Sequence, residues 1–366
     1  MIYRAIGLMS GSSLDGLDIV FAEFHENGGK WSYEILEAAC YPYPAAWADR
    51  LSQAVSLPAM EYQLLHTAYG HYLGSQVNRF IEEKQLHYKV ALIASHGHTT
   101  FHLPAQKMTA QLGDGAAIAA ATKLPVVSDL RALDVALGGQ GAPIVPVGEQ
   151  LLLKNYDLFL NLGGIANISL NTGNRYIAFD VCPANRVLNG LAGGTGKAYD
   201  EGGALAAAGT IDQPLLDRLN ELDYYQQPWP KSLANDFGTG TVLPMIRQAG
   251  LSTGDALRTY VEHIAEQIKK AIAGAGNTES PAANRQLLVT GGGAFNTFLI
   301  DRLRSVLAQQ PVEVIVPDER LVSYKEALIM ALIGVLRWRE KTNVLSSVTG
   351  AERDSVGGAL WMGQEE

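Results

Sequence analysis

The chain of 366 residues is 47% hydrophobic and 18% charged, with 38 glycines and a formal net charge of −9. That length accommodates two domains with a core each, and the acidic balance argues against nucleic acid or an anionic membrane as the main partner. Two cysteines, Cys40 and Cys182, lie far apart without metal-ligand spacing, so neither a disulfide framework nor a zinc site is indicated.

The opening, MIYRAIGLMSG, is broken by glycine too early to serve as a secretory leader. No apolar run reaches the roughly 20 residues of a membrane span, so a cytoplasmic protein is expected. Residues 5–9 read as an apolar strand that runs into a turn of Gly11, Ser12, Ser13, Leu14, Asp15, Gly16, Leu17 and Asp18. A second strand leaves that turn at 19–24, and a third is predicted over 31–40. Apolar residues near helical spacing predict an amphipathic helix over 60–85. A buried strand at 90–94 then delivers Ser95, His96, Gly97 and His98 to its C-terminal end, where open α/β sheets gather their ligand groups. His96, His98 and His102 invite a metal reading, but hydrogen bonding is preferred because no Cys or acidic partner stands at helical spacing. A small-residue helix follows over 113–123, then a short strand at 126–127. Arg131 stands between Asp129 and Asp134, either paired to them on the surface or facing a ligand in a cleft. The loop of Gly138, Gly139, Gln140, Gly141, Ala142 and Pro143 is too rich in glycine to be core.

The stretch 158–185 carries the most chemistry. Apolar runs at 158–162, 165–170 and 176–179 are separated by Gly163 and Gly164 and by a polar segment, which predicts strands joined by tight turns. Two adjacent glycines let backbone N–H groups approach a bound phosphate. Asp180 ends the third run beside that loop, with Asn167 on the run between; a strand-end aspartate is also an ordinary turn former. Strand, glycine turn, strand is the plan of residues 5–24 as well, as if one unit were used twice. A helix is predicted over 256–273, and a strand over 286–290 that opens into Gly291, Gly292 and Gly293 with Asn296 beyond. Three such glycines allow a phosphate or flat ligand to lie against backbone. A strand at 312–316 precedes a buried helix at 323–339. Glu326 falls in that helix's expected first turn, where the dipole alone explains a carboxylate. The tail is expected to end in a small-residue helix.

Taken in order, the motifs Gly11–Asp18, Ser95-His-Gly97, Gln111-Leu-Gly-Asp-Gly115, Asp129-Leu-Arg131, Gly138–Pro143, Asn161-Leu-Gly-Gly-Ile-Ala-Asn-Ile168, Phe179-Asp180, Gly291-Gly-Gly-Ala-Phe-Asn296, Lys325-Glu-Ala327 and Ser347-Val-Thr-Gly-Ala351 resemble the anhydro-N-acetylmuramic acid kinase family across nearly the whole chain. The resemblance implies an α/β fold of two ribonuclease-H-like (actin-like ATPase) domains, with mixed five-stranded sheets flanked by helices and an ATP cleft between them. It implies domains at 1–128 plus 345–366 and at 129–344. It also implies an ATP- and Mg2+-dependent kinase that hydrolytically opens the 1,6-anhydro ring of anhydro-N-acetylmuramic acid and phosphorylates O6, as a homodimer in cell-wall recycling. Asp180 aligns with the family's catalytic base. The ATP side takes Gly11, Ser12, Ser13, Leu14, Asp15, Gly16, Leu17, Asp18, Gly163, Gly164, Asn167, Gly291, Gly292, Gly293 and Asn296, and the sugar side takes His96, Arg131, Gln140 and Glu326. The sequence departs from the family pattern around the base, reading Phe179-Asp-Val-Cys-Pro-Ala-Asn185 instead of Phe-Asp-Thr-Gly-Pro-Gly-Asn, and it carries Lys231-Ser-Leu-Ala-Asn-Asp236 instead of Lys-Ser-Thr-Gly-Arg-Glu. Two alternatives stay open: a kinase of another anhydro sugar such as levoglucosan, and a non-catalytic ATP-binding module.

Overall fold

The computed structural model describes residues 1–11, 14–171, 176–228, 231–234, 236–274 and 285–363. Its strands, in chain order, are β1 (Ile2–Ser10), β2 (Gly16–Asn27), β3 (Lys30–Pro42), β4 (Leu92–Ser95), β5 (His98–Leu103), β6 (Met108–Leu112), β7 (Val126–Ser128), β8 (Leu158–Leu162), β9 (Ile165–Asn171), β10 (Tyr176–Pro183), β11 (Arg285–Thr290), β12 (Val312–Ile315) and β13 (Ala359–Trp361). The chain forms two compact units, Met1–Lys154 with Tyr324–Glu366, and Asn155–Ser323. This division differs from the one expected at 128/129 and 344/345. Residues 129–154 are tied into the first unit by polar contacts that sequence spacing does not reveal. Thr349 donates 2.7 Å to Asp134 Oδ1, the Gln140 N–H donates 2.8 Å to the Thr349 carbonyl, and Lys325 forms a buried 2.9 Å ion pair with Glu149.

In the first unit the sheet order is β13-β7-β4-β1-β2-β3. β1, β2 and β3 are an antiparallel meander, β4 and β7 run parallel to β1 and β4 respectively, and β13 closes the edge antiparallel to β7. The sheet therefore has six strands, not five, and the tail ends in a strand instead of the expected helix. The short run Ala359-Leu-Trp361 has no periodicity of its own. It becomes a strand because the open edge of β7 offers it partners, and the Trp361 indole N–H reaches Ser128 Oγ at 3.1 Å. One face of this sheet packs Phe21, Ile19, Leu8 and Ile93 against Tyr69, Leu73 and Phe80 of the helix Ala59–Glu83. On β1, a Cβ at Gly7 would run into the Ala327 carbonyl, so that glycine lets the helix Glu319–Trp338 lie directly on the strand.

The second unit repeats the plan. Its order is β10-β9-β8-β11-β12, with β8, β9 and β10 antiparallel and β11 and β12 parallel to β8. Numbered within each sheet, both contain the order 3-2-1-4-5 of a ribonuclease-H-like fold, the duplication expected from the two strand–turn–strand stretches. Leu158, Leu160, Ile168, Leu287 and Val289 face one side and pack with Tyr260, Ile264 and Ile268 of the helix Thr253–Gly274. Each such fully buried side chain contributes about 1.5–3 kcal/mol of transfer free energy. The opposite face is where the sheet turns polar.

Candidate active site

Asp180 lies on β10, the edge strand of the second sheet, at a β-bulge where the register slips between Asp180 and Cys182. Bulges re-aim side chains at functional positions. The outer edge of the strand at Asp180 is fully bonded. Its N–H donates 3.1 Å to the Lys231 carbonyl, and its carbonyl accepts 2.6 Å from the Tyr224 hydroxyl. With both backbone groups turned outward, Asp180 and Asn167 across on β9 form the closely spaced kind of antiparallel pair, the one that brings side chains together. The Leu233 N–H donates 2.9 Å to Asp180 Oδ2. Burial raises the Asp180 pKa above the usual aspartate value, and the Leu233 bond opposes that rise. A carboxylate in this setting is a stronger base than one in water.

Asn167 is opposite Asn161 on β8, and Asn161 is opposite Thr290 on β11. Thr290, Asn161, Asn167 and Asp180 thus form one polar row across four strands, on the face away from the Tyr260 core. Of this row, Asn161 and Thr290 were not among the residues assigned from sequence. The available signal was a lone amide in the apolar run Leu158-Phe-Leu-Asn-Leu162 and a hydroxyl just before three glycines.

The glycines divide into two kinds. Gly291 has φ +82°, and a Cβ there would run into Asn161 Oδ1; a Cβ on Gly293 would come within 2.7 Å of Leu162 Cβ. These two are glycine because the strand ends pack tightly. Gly163, Gly164 and Gly292 have no positive φ, and a Cβ on them would find its nearest neighbours at 3.5, 3.7 and 3.8 Å. Among the described residues nothing requires the absence of a side chain there. The carbonyls of Gly163 and Gly164 accept from Asn185, Ala184 and Arg186 at the start of the helix Asn185–Ala192, which fixes the turn. Asn296 is engaged as a helix cap, accepting 3.0 Å from the Leu299 N–H.

The remaining assigned residues belong to the first unit. Ser12 and Ser13 lie outside the described residues. Leu17 is core, and a Cβ on Gly16 would meet Cys40 Sγ at 2.7 Å, so these two are structural. Leu14 packs at the margin of the same core. Gly11 accepts from the Leu14 N–H at 3.4 Å, and exposed Asp15 accepts 3.0 Å from the Gly16 N–H. Asp18 is pushed up to about 6 by burial, a rise opposed by a hydrogen bond from Cys40 and reinforced by the nearby charges of Asp15 and Glu326.

His96 and Arg131 form a buried pair. Arg131 Nε donates 2.8 Å to His96 Nε2, which assigns the ring proton to Nδ1, facing the Gly97 carbonyl at 2.9 Å. Burial, with Arg131 adding to it, depresses His96 to about 3, so the ring stays neutral. Arg131 Nη1 donates 2.5 Å to the Gly141 carbonyl; its guanidinium is depressed to about 10 by burial and supported by the charges of Glu326 and Asp134. Arg131 is therefore not a surface pair with its flanking aspartates. The helix carrying Glu326 starts at Glu319, which places Glu326 about two turns in. The helix-dipole explanation for this carboxylate fails, and its neighbourhood replaces it: burial raises its pKa while Lys325 and Arg131 pull it down. Gln140 is exposed, held by its backbone N–H to Thr349.

A family model described as anhydro-N-acetylmuramic acid kinase matches residues 3–363. A protein of Gloeobacter violaceus named anhydro-N-acetylmuramic acid kinase is 35% identical over 369 residues, covering 95% of this chain and 96% of that protein. One of Shewanella sediminis with the same name is 33% identical over 371 residues, covering 97% and 98%. The chain belongs to the anhydro-N-acetylmuramic acid kinase family. Among solved structures it is similar to the activator of the 2-hydroxyisocaproyl-CoA dehydratase from Clostridium difficile with bound ADPNP, at a TM-score of 0.47 and 13% identity, covering 92% of this chain and 96% of that one. Membership in a kinase family implies ATP as phosphoryl donor. Gly163, Gly164 and Gly292 fit that donor, because each leaves open the space a Cβ would fill. Among the described residues no group of three His, Cys, Asp or Glu is arranged to hold a metal ion, and no helix is long and apolar enough to cross a membrane.

Proposed function

We propose that this protein is a kinase that opens the 1,6-anhydro ring of anhydro-N-acetylmuramic acid with water and phosphorylates the freed O6, giving N-acetylmuramic acid 6-phosphate in cytoplasmic cell-wall recycling. Asp180 carries the reading. It is a base raised by burial, with Oδ2 taken by the Leu233 N–H, which leaves Oδ1 for a water molecule. Water adds to the anomeric carbon as its proton passes to Asp180, and the C1–O6 bond breaks. O6 takes the γ-phosphoryl group as the bond to ADP breaks, and the proton is then released to solvent. Neutral water attacks an acetal carbon poorly, and base assistance of this kind is worth roughly 10²–10⁴ in rate.

ATP with Mg2+ supplies the phosphoryl group and its charge neutralisation. The N–H groups of the 163–164 and 291–293 turns and the loop from Gly11 are assigned to the phosphates. Mg2+ keeps most of its water and takes one or two carboxylates plus phosphate, a role assigned to Asp18 and Asp15. Arg131, His96, Gln140 and Glu326 are assigned to the sugar, with the guanidinium as the cationic partner of its lactyl carboxylate. The homodimer rests on the family resemblance alone and is checked by light scattering.

Mass spectrometry of the products formed from ATP and the anhydro sugar in heavy-oxygen water tests the mechanism. The label is expected at the anomeric hydroxyl and not in the phosphate. Label mainly in inorganic phosphate would make the protein an ATPase and overturn the reading; turnover of levoglucosan in preference to the amino sugar would replace the substrate.

A further inference from the structure

The bonds around Asp180 converge on one short segment, residues 231–233, which lies along the outer edge of β10 like a strap. It meets the strand twice: the Lys231 carbonyl accepts from the Asp180 N–H at 3.1 Å, and the Leu233 N–H donates to Asp180 Oδ2 at 2.9 Å. The strap is held in turn by Tyr224 on the helix Asp223–Gln226. Lys231 Nζ donates 3.0 Å to the Tyr224 carbonyl and sits 4.5 Å from the centre of the Tyr224 ring. The Tyr224 hydroxyl returns to the Asp180 carbonyl at 2.6 Å. Tyr225, next in sequence, is anchored by its hydroxyl 3.0 Å from Nε2 of the buried His263. Two residues thus close a loop of contacts around the base without touching its reactive oxygen.

We propose that Tyr224 and Lys231 are positioning residues of the reaction, which dock the 231–233 strap on the edge of β10 and through it hold the Asp180 carboxylate. Strap and base form one unit: with the strap in place Asp180 is partly shielded from water and its Oδ2 is fixed. The ring of Tyr224 gives the Lys231 ammonium a cation–π partner, and among the described residues no carboxylate pairs with that ammonium. Among the described residues, the titratable groups coupled to the Asp180 charge are Tyr224 and Cys182, two positions along β10, while Lys231 sits beside them over the Tyr224 ring. Burial pushes the phenol and the thiol up, and it lowers Lys231. Neither the phenol nor the thiol ionises at neutral pH, so of the groups around Asp180 only its own carboxylate contributes to the acid limb of the rate, and a shift of that limb in strap variants reports on it.

The inference rests on Asp180 as base, and the pH dependence of kcat/KM separates the two. Burial is the larger influence on Asp180 and the Leu233 bond the smaller, and they act in opposite senses. Tyr224→Phe and Lys231→Met loosen the strap and admit water. They are expected to lower kcat roughly 10-fold to 100-fold, leave KM for ATP within threefold, and move the acid limb to lower pH. Lys231→Arg, which keeps a cation over the ring and a donor, is expected to retain at least half of kcat. Leu233→Pro removes the N–H donor, along with fixing φ at 233 and restricting Ser232, and where the fold is retained by circular dichroism it is expected to move the acid limb the other way, upward by about half a pH unit or more. Should Tyr224→Phe and Lys231→Met keep the parental kcat and acid limb while Asp180→Asn is dead, the strap has no positioning role. Should Asp180→Asn itself turn over normally, the base assignment fails first.

Discussion

At the scale of single residues, burial raises the carboxyl of Asp180, the proposed base, and makes Asp18 a liability. Asp180→Asn keeps shape and loses the basic oxygen, so kcat is expected to fall by roughly 10²–10⁴ with ATP affinity, measured by calorimetry, unchanged within a few-fold. In the parent, the acid limb of kcat/KM is expected above the ordinary aspartate range, because the folded carboxyl is raised. Asp18 has a related consequence for stability. Its folded pKa of about 6 exceeds the ordinary aspartate value of 3.8, so between those values the unfolded chain has released the proton that the folded chain keeps. Stability therefore falls as pH rises through that window and stays lower at neutral pH. Asp18→Asn, which carries no charge, is expected to stabilise the protein by about 1–2 kcal/mol at pH 7 and by much less at pH 4, allowing for the side chain's partial exposure. Denaturant melts at the two pH values check this. An equal effect at both would mean that the carboxyl is not strained by its surroundings.

At the scale of elements, the two kinds of glycine make opposite forecasts. Gly163→Ala meets only ordinary contacts and is expected to leave the melting temperature within a degree or two while weakening ATP binding, because the new methyl would occupy the approach proposed for the phosphates. Gly291→Ala meets a positive φ and the Asn161 side chain, and is expected to destabilise by about 1–3 kcal/mol. The legible part of the fold follows the same division between local and distant causes. The meander 2–42, the helices 59–83 and 253–274 and the strand before Gly291 could be read from periodicity, because each carries its own apolar pattern. β13 could not, since its partner lies more than two hundred residues away. The start of the helix 319–338 was misjudged by four residues, enough to give Glu326 the wrong explanation. In the site, Asp180 was visible as a carboxylate at a strand end. Tyr224 and the Leu233 N–H were not, and Lys231 stood out only as part of a family motif without its partner, because a backbone donor and two side chains some fifty residues away leave no spacing signal.

At the scale of the whole molecule, the two units share one topology with scarcely related residues. Each has a core of its own, and among the described residues only the first sheet carries a sixth strand. Trp361 fastens that strand, bonding Ser128 and lying where Gly115 leaves room for it. Trp361→Ala is expected to destabilise by about 1–2 kcal/mol, reduced from a full core truncation because the ring is partly exposed. The acid limb of the rate should not move, since Asp180 and its strap lie in the other unit. A shifted limb in this variant would show that the two units do not behave independently.

The discontinuity of the first unit bears on how the chain is made. Residues 155–323 are contiguous, so that unit holds all of its sheet once its last residue has left the ribosome. The first unit lacks the helix from Tyr324 and the edge strand 359–361 until the whole of the second unit has been made. Domains fold as units in order of emergence, at about 5–20 residues per second, and here the order inverts. The N-terminal sheet waits, with the edge of β7 uncovered and Gly7 bare, for residues 324–361. During that interval the nascent chain presents an open strand edge, and a chaperone that covers such edges would meet its client in the N-terminal half.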